Sequence, residues 1–155
     1  MEAIIASLNA ALADWGYAGL FVASLVAGSI LPFASEAVLG ALIAAGLDPV
    51  ACVAVASVGN TAGGMTCWLM GRAGDAQRIA RWLRIEESKI VRAQRLLQGR
   101  GALAGFFAFL PYIGEAIAVV LGMMRSNAAL TALSMLAGKT LRYVAIAAAV
   151  AAATA

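Results

Sequence analysis

The sequence contains no histidine, only two cysteines, and few charged residues, which make up 12% of the chain. Without histidine, the most frequent metal ligand and general acid–base group in proteins is missing. Cys52 and Cys67 fall in one predicted helix about 22 Å apart, so they cannot form a disulfide with each other. No nucleophile–base set stands out either. The sequence therefore predicts no enzymatic activity, no cofactor and no metal site.

Apolar residues take the place of the missing charge, at 63% of the chain with a mean hydropathy of +0.91. Soluble domains contain roughly 45–50% apolar and 25% charged residues. The apolar runs are continuous and do not alternate, which indicates helices and not a barrel. We therefore predict an all-α integral membrane protein with one domain, residues 1–155. The start of the chain lacks the positive n-region of a signal peptide, so we expect it to be retained.

One short pattern occurs twice. Residues 31–38 read LPFASEAV, and residues 110–117, 79 positions later, read LPYIGEAI. Each copy interrupts an apolar run with a proline and, four residues on, a glutamate. A helix entering each copy should stop or kink at Pro32 or Pro111, and the next helix should begin near Glu36 or Glu115. A break and an acid at matched depth in two halves is typical of transporter sites; the alternative is a pair of proline kinks with helix-capping acids.

The apolar legs around each copy are too short to span a bilayer, which needs about 20 residues. This predicts two re-entrant hairpins, residues 16–47 and 103–124, with breaks at Pro32, Pro111 and Gly114. One crossing, the predicted transmembrane helix 49–71, separates them. The hairpins should therefore enter from opposite faces as an inverted repeat, the first from outside and the second from the cytoplasm.

Three further segments complete the predicted topology. Residues 1–14 form a short interfacial helix or, alternatively, extend the next segment into a full span. Residues 72–100 carry eight of the eleven Lys and Arg residues against three acids, which predicts a basic amphipathic segment on the cytoplasmic face. A basic connector between membrane runs is far more often a topology signal than a nucleic-acid site, so no nucleic-acid partner is predicted. Residues 127–155 form the last transmembrane helix.

Small residues mark the middle of the helix 49–71, at Gly59, Asn60, Gly63 and Gly64. The step from Gly59 to Gly63 lets another helix approach closely, so we predict a packing face. Alternatively, Asn60 and Thr61 contact a substrate.

Two basic residues lie deep in the last helix. Lys139 and Arg142 share a helix face at i, i+3, roughly 18–22 Å from its start. Each costs about 2.5–3.5 kcal/mol at such a depth, so they should not face lipid. Because Glu36 and Glu115 supply two matching acids, we predict that the four charges converge in one polar cavity that binds substrate and protons. A purely structural ion-pair network is the alternative.

Together these motifs resemble the DedA family of small membrane proteins, and most closely its short YqaA-like branch. The resemblance covers roughly residues 16–150. The matching residues are Pro32 and Glu36, Gly59-Asn60-x-x-Gly63-Gly64, Pro111-x-x-Gly114-Glu115 with Gly122, and Gly138-Lys139-x-x-Arg142-Tyr143.

The resemblance implies two opposed re-entrant hairpins in a multi-pass protein of the bacterial inner membrane. It further implies a lipid translocase, a flippase or scramblase, because relatives move undecaprenyl phosphate or phospholipids between leaflets with dependence on the proton-motive force. The acid in the first hairpin of those relatives matches Glu36. Their second hairpin usually carries arginines, whereas residues 112–115 here contain none, so Lys139 and Arg142 would supply the positive charge.

The expected partners are membrane lipids, including undecaprenyl phosphate, together with protons; the sequence also allows a homo-oligomer. Two alternatives use the same residues. An ion- or proton-coupled transporter of a small solute would need the four charges but no opening of lipid size. A non-transporting assembly factor would keep the charges only as a buried network.

Overall fold

A computed structural model of the protein describes residues 2–29, 35–74, 81, 86–97, 101–110 and 113–154. These ranges are almost entirely helical and contain no β-strand. The helices are α1 Glu2–Gly28, α2 Ser35–Ala44, α3 Pro49–Ala73, α4 Glu87–Leu97, a 3-10 helix Gly101–Phe109, α5 Gly114–Met123 and α6 Ala128–Thr154. Of the sequence predictions, the all-helical fold is confirmed.

Helix α1 runs without a break from Glu2 to Gly28. Of the two alternatives for residues 1–14, the structure therefore has the helix that continues into the next segment and not a separate short one. Asp14 and Gly16 lie at the join, and each weakens a helix by only about 1 kcal/mol or less. That penalty is too small to end a helix whose apolar residues continue on both sides.

Among the described helices, α3 and α6 are long and apolar enough to cross a membrane. Both begin at a side-chain cap. The Asp48 carboxylate accepts a hydrogen bond from the backbone N–H of Val50 at 3.2 Å. The Asn127 side chain accepts from the backbone N–H of Leu130 at 3.0 Å. Such caps satisfy N–H groups that the first helical turn leaves unpaired.

The sequence repeat is also a repeat of backbone structure. Helices α2 and α5 each have ten residues and begin 79 positions apart, as α3 and α6 do. The turn after each short helix contains one residue of positive φ, Gly46 at 102° and Arg125 at 52°. The backbone hydrogen bonds of this turn match as well: Gly46 N–H donates to Ile43, and Arg125 N–H donates to Gly122. The spacing is therefore constant, without insertion or deletion, from α2 into α3 and from α5 into α6.

The two repeats exchange their short helices. Helix α2 packs on α6, where Glu36 meets Arg142 and Gly40 faces Val150. The equivalent contact in the other repeat places Val119 of α5 against Gly71 of α3. Residues 40 and 119 are equivalent by the repeat, and so are 71 and 150. Each short helix is therefore held by the long helix of the other repeat.

The long helices α3 and α6 cross antiparallel, and equivalent residues meet where they cross. Lys139 Nζ donates to the backbone oxygen of Asn60 at 2.8 Å, and these two residues are 79 positions apart. One turn away, Gly64 faces Met135. Contact between equivalent positions of antiparallel helices indicates a local two-fold relation between the repeats, with its axis near Asn60 and Lys139.

Two apolar clusters lie on either side of this crossing. The first cluster consists of Leu20, Leu39, Cys52, Val53, Ala56, Tyr143 and Ala147. The second cluster consists of Cys67, Trp68, Ala93, Leu97, Ala104, Ala108, residues 116–121 and Met135. The residues between them along α3 and α6 include Ser57, Asn60, Thr61, Lys139 and Arg142, which we call the polar layer. The polar layer therefore lies between two separate apolar cores.

Candidate functional site

Lys139 is the most deeply buried charge in the described part of the chain, with 4% of its surface exposed. Its ammonium group donates to the Asn60 backbone oxygen at 2.8 Å. No carboxylate oxygen of the described residues lies within 4 Å of it, and the Glu36 carboxylate is paired with Arg142. An ammonium group has three N–H donors, and a buried charge is stable only when paired or hydrogen-bonded. Lys139 therefore holds a charge that its present partner compensates only in part.

Arg142 forms an ion pair with Glu36, and each side chain is 30% exposed. Its guanidinium group also lies 3.4 Å from the backbone oxygen of Phe109, at the end of the 3-10 helix. Next to this pair, the hydroxyl groups of Ser35 and Tyr143 are hydrogen-bonded at 2.8 Å in the interior. Two neighbouring polar contacts thus fix the start of α2 against α6.

Glu115 has no equivalent ion pair among the described residues. Glu115 matches Glu36 in the repeat, and the position that matches Arg142 is Gly63. The Glu115 side chain is partly buried. The backbone frame is therefore nearly symmetric, whereas its charges are not: Glu36 is paired with Arg142, and Glu115 has no such partner in the described part of the chain.

The predicted packing face of α3, at Gly59, Asn60, Gly63 and Gly64, contacts two different elements, α1 and Lys139 of α6. A Cβ atom on Gly59 would lie 2.7 Å from the backbone oxygen of Phe21, and one on Gly63 would overlap the backbone oxygen of Leu25, so both admit α1. A Cβ atom on Gly64 would lie 2.9 Å from Lys139 Nζ. Gly64 therefore leaves room for the ammonium group, and Asn60 receives its hydrogen bond.

The predicted hairpin breaks are only partly described. Pro32 and Pro111 lie outside the described residues. Gly114 is the first residue of α5 and packs against the backbone oxygen of Ala108, which no larger residue could approach so closely. The structure thus brings the start of α5 directly against the end of the 3-10 helix.

Sequence reasoning named Thr61 as an alternative substrate contact but missed the buried hydroxyl groups of Ser24 and Ser57. All three side chains are at most 8% exposed, and their hydroxyl groups have no hydrogen-bond partner among the described residues. Ser57 and Thr61 are spaced i, i+4, with Gly64 at i+7 of the same series. A polar series of this kind in an otherwise apolar helix was a signal that the sequence offered.

Comparison with known proteins identifies relatives of the chain. The chain is 32% identical over 131 residues to inner membrane protein YqaA of Escherichia coli strain K12, covering 84% of this chain and 87% of that protein. The same figures hold for inner membrane protein YqaA of Shigella flexneri. An uncharacterized protein of Haemophilus influenzae is 28% identical over 138 residues, with 82% of each chain covered. No family model and no solved structure matches the chain.

The all-helical fold, the two apolar helices and these relatives define the class as an inner membrane protein. Within that class, the chain belongs to the YqaA branch of the DedA family. The resemblance that the sequence motifs suggested is thereby confirmed.

Proposed function

We propose that this protein is a lipid translocase that moves an anionic lipid, a polyprenyl phosphate or a phospholipid, between the two leaflets of the membrane with uptake of a proton. The observation that carries the proposal is the state of Lys139. Its buried ammonium group is bonded to a neutral carbonyl group and not to a carboxylate. A buried ammonium group without a carboxylate partner can form a strong hydrogen-bonded ion pair with an anion from outside the chain.

The physical difficulty of lipid translocation is the passage of the headgroup charge through the hydrocarbon region, where an unpaired charge is very costly. Lys139 and Arg142 would pair with the phosphate. Glu36 holds Arg142 while the site is empty. The four charges sum to zero, so an incoming phosphate adds a negative charge to the cavity. A proton bound by a displaced carboxylate would restore neutrality, which is our reason for proton coupling.

The proposal includes the topology that the sequence predicted. In it, residues 16–47 and 103–124 are re-entrant hairpins that enter the membrane from opposite faces. Support comes from the short α2 and α5, the antiparallel crossing of α3 and α6, and the exchange of short helices between the repeats. An antiparallel pair of equivalent helices is what an inverted repeat requires.

The decisive experiment measures transbilayer movement in proteoliposomes with and without a pH gradient. Undecaprenyl phosphate and a fluorescent phospholipid are the two substrates. We expect the wild type to move at least one of them, and Glu36→Gln, Glu115→Gln and Lys139→Met to reduce the rate at least tenfold while the protein stays folded. Arg95→Gln, which removes an exposed charge on α4, is the matched control and should keep the rate.

Absence of movement of both lipids under either gradient would refute the translocase. Retained movement in all three site variants would instead keep the translocase and remove these residues from its mechanism. A small-solute transporter or an assembly factor would then be the alternative to test.

A further inference from the structure

Three buried hydroxyl groups lack a hydrogen-bond partner among the described residues, and they differ in this from other hydroxyl groups of the chain's helices. Thr66 and Ser134 donate to backbone carbonyls one turn earlier in their own helices, at 2.6 and 2.7 Å. Ser24, Ser57 and Thr61 lie in the interior without such a bond. A buried hydroxyl group without a partner destabilises the fold, and a local bond to the helix backbone is the ordinary way to avoid this.

Two of the three hydroxyl groups share a helix face with the Lys139 contact. Ser57, Thr61 and Gly64 follow at i, i+4 and i+7 along α3, which places them on one side of the helix. Gly64 lies directly beneath the Lys139 ammonium group, and its absent side chain leaves the room that this group occupies. Ser24 differs, because it lies on α1 beside Gly59, on another face of α3.

This face carries hydrogen-bonding groups that the described residues leave unused. The Lys139 ammonium group uses one N–H bond on the Asn60 backbone oxygen, and the two hydroxyl groups, which can donate as well as accept, have no partner among the described residues. No carboxylate of the described residues makes a direct contact with Lys139. A buried cation on the same face as two hydroxyl groups that can donate is complementary to an anion.

We propose that Lys139, Ser57 and Thr61 form a binding site for a phosphate group in the polar layer. The hydroxyl groups are spaced about 6 Å along the helix axis, and the several oxygen atoms of a phosphate group can accept from both of them and from the ammonium group together. On binding, the ammonium group moves from the Asn60 backbone oxygen to the phosphate. This inference rests on the proposed function, since it assigns the part of the chain that would recognise the lipid phosphate.

The test is ligand binding to the purified full-length protein in an uncharged detergent, read as the rise of the thermal unfolding midpoint with ligand concentration. The ligands are inorganic phosphate, a short-chain phosphatidic acid and the matching diacylglycerol without phosphate. Inorganic phosphate and phosphatidic acid together distinguish a site for the phosphate group alone from one that also requires the acyl chains. We expect stabilisation by phosphatidic acid, alone or together with inorganic phosphate, and none by diacylglycerol.

The variants are Ser57→Ala, Thr61→Val and Lys139→Met, with Ser24→Ala as the matched control. Ser24→Ala removes an equally buried and equally unpaired hydroxyl group from a different face. Ser57→Ala and Thr61→Val should each weaken binding about tenfold, because a hydrogen bond to a charged group contributes at least about 1.4 kcal/mol. Lys139→Met should abolish binding, and Ser24→Ala should leave it unchanged.

The proposal is overturned if neither phosphate ligand stabilises the wild type, or if both hydroxyl variants bind as the wild type does. It is also overturned if Ser24→Ala weakens binding as much as Ser57→Ala, because the effect would then come from packing. Failure of the proposed function looks different: phosphate binds with the expected variant pattern, but no lipid moves in proteoliposomes.

Discussion

Removal of Arg142 alone from the Glu36–Arg142 pair should destabilise the protein more than removal of both partners. In Arg142→Gln the Glu36 carboxylate stays between α2 and α6 without its cation. Breaking a fully buried pair costs about 3–5 kcal/mol, and an exposed pair contributes about 0–1 kcal/mol. Because both side chains are 30% exposed, we expect a loss of about 2–3 kcal/mol in the free energy of unfolding. Glu36→Gln should cost about 1–2 kcal/mol.

The double variant Glu36→Gln/Arg142→Gln leaves no unpaired charge, so it should lose only about 1–2 kcal/mol. The coupling energy of the cycle is then about 2 kcal/mol, within the usual range for residues in contact. The free energy of unfolding is measured for all four proteins by titration with sodium dodecyl sulfate in mixed micelles, with tryptophan fluorescence as the signal. Additive losses in the double variant would refute the reasoning, since they would mean that the pair contributes nothing as a pair.

Two further predictions concern the equivalent turns after α2 and α5. Arg125→Gly should increase the free energy of unfolding by about 0.5–1 kcal/mol and raise the unfolding midpoint, because the φ of 52° at Arg125 favours glycine. Gly46→Ala should decrease the free energy of unfolding by a similar amount. A lower midpoint for Arg125→Gly would show that the Arg125 side chain stabilises the turn. Single cysteines at the same two positions should react with a membrane-impermeant maleimide from opposite sides of intact vesicles, while buried Cys52 and Cys67 give the unlabelled wild-type background; labelling of both from the same side would refute the inverted repeat.

Much of the framework could be predicted because it depends on local signals. The LPxxxEA pattern at a spacing of 79 residues identified the two repeats, and the backbone repeats with the same spacing. The starts of the two long helices are local in the same sense, because Asp48 and Asn127 cap them and a side-chain cap is fixed by residues within one turn.

The partners of the charges could not be predicted, because they depend on how distant helices pack. Lys139 and Arg142 are one turn apart on the same face, so the sequence offers both equally to Glu36. The position of α2 decides between them: Arg142 reaches the carboxylate, and Lys139 reaches the crossing with α3. Which hydroxyl groups lack a partner could not be predicted for the same reason. A serine that donates to its own helix backbone and a serine that does not are the same residue in the sequence.

Because each short helix packs on the long helix of the other repeat, α2 cannot reach its final position until α6 has been synthesised. The contact between Ser35 and Tyr143, beside the Glu36–Arg142 pair, joins positions 108 residues apart. At about 5–20 residues per second, the ribosome needs roughly 5–20 s to extend the chain from one to the other. During this interval the Glu36 carboxylate is in or near the membrane without its cation. Helix α2 can therefore take its final position only after most of α6 has been made, and a nascent chain that stops before Arg142 leaves Glu36 unpaired, a defect that membrane quality control could recognise.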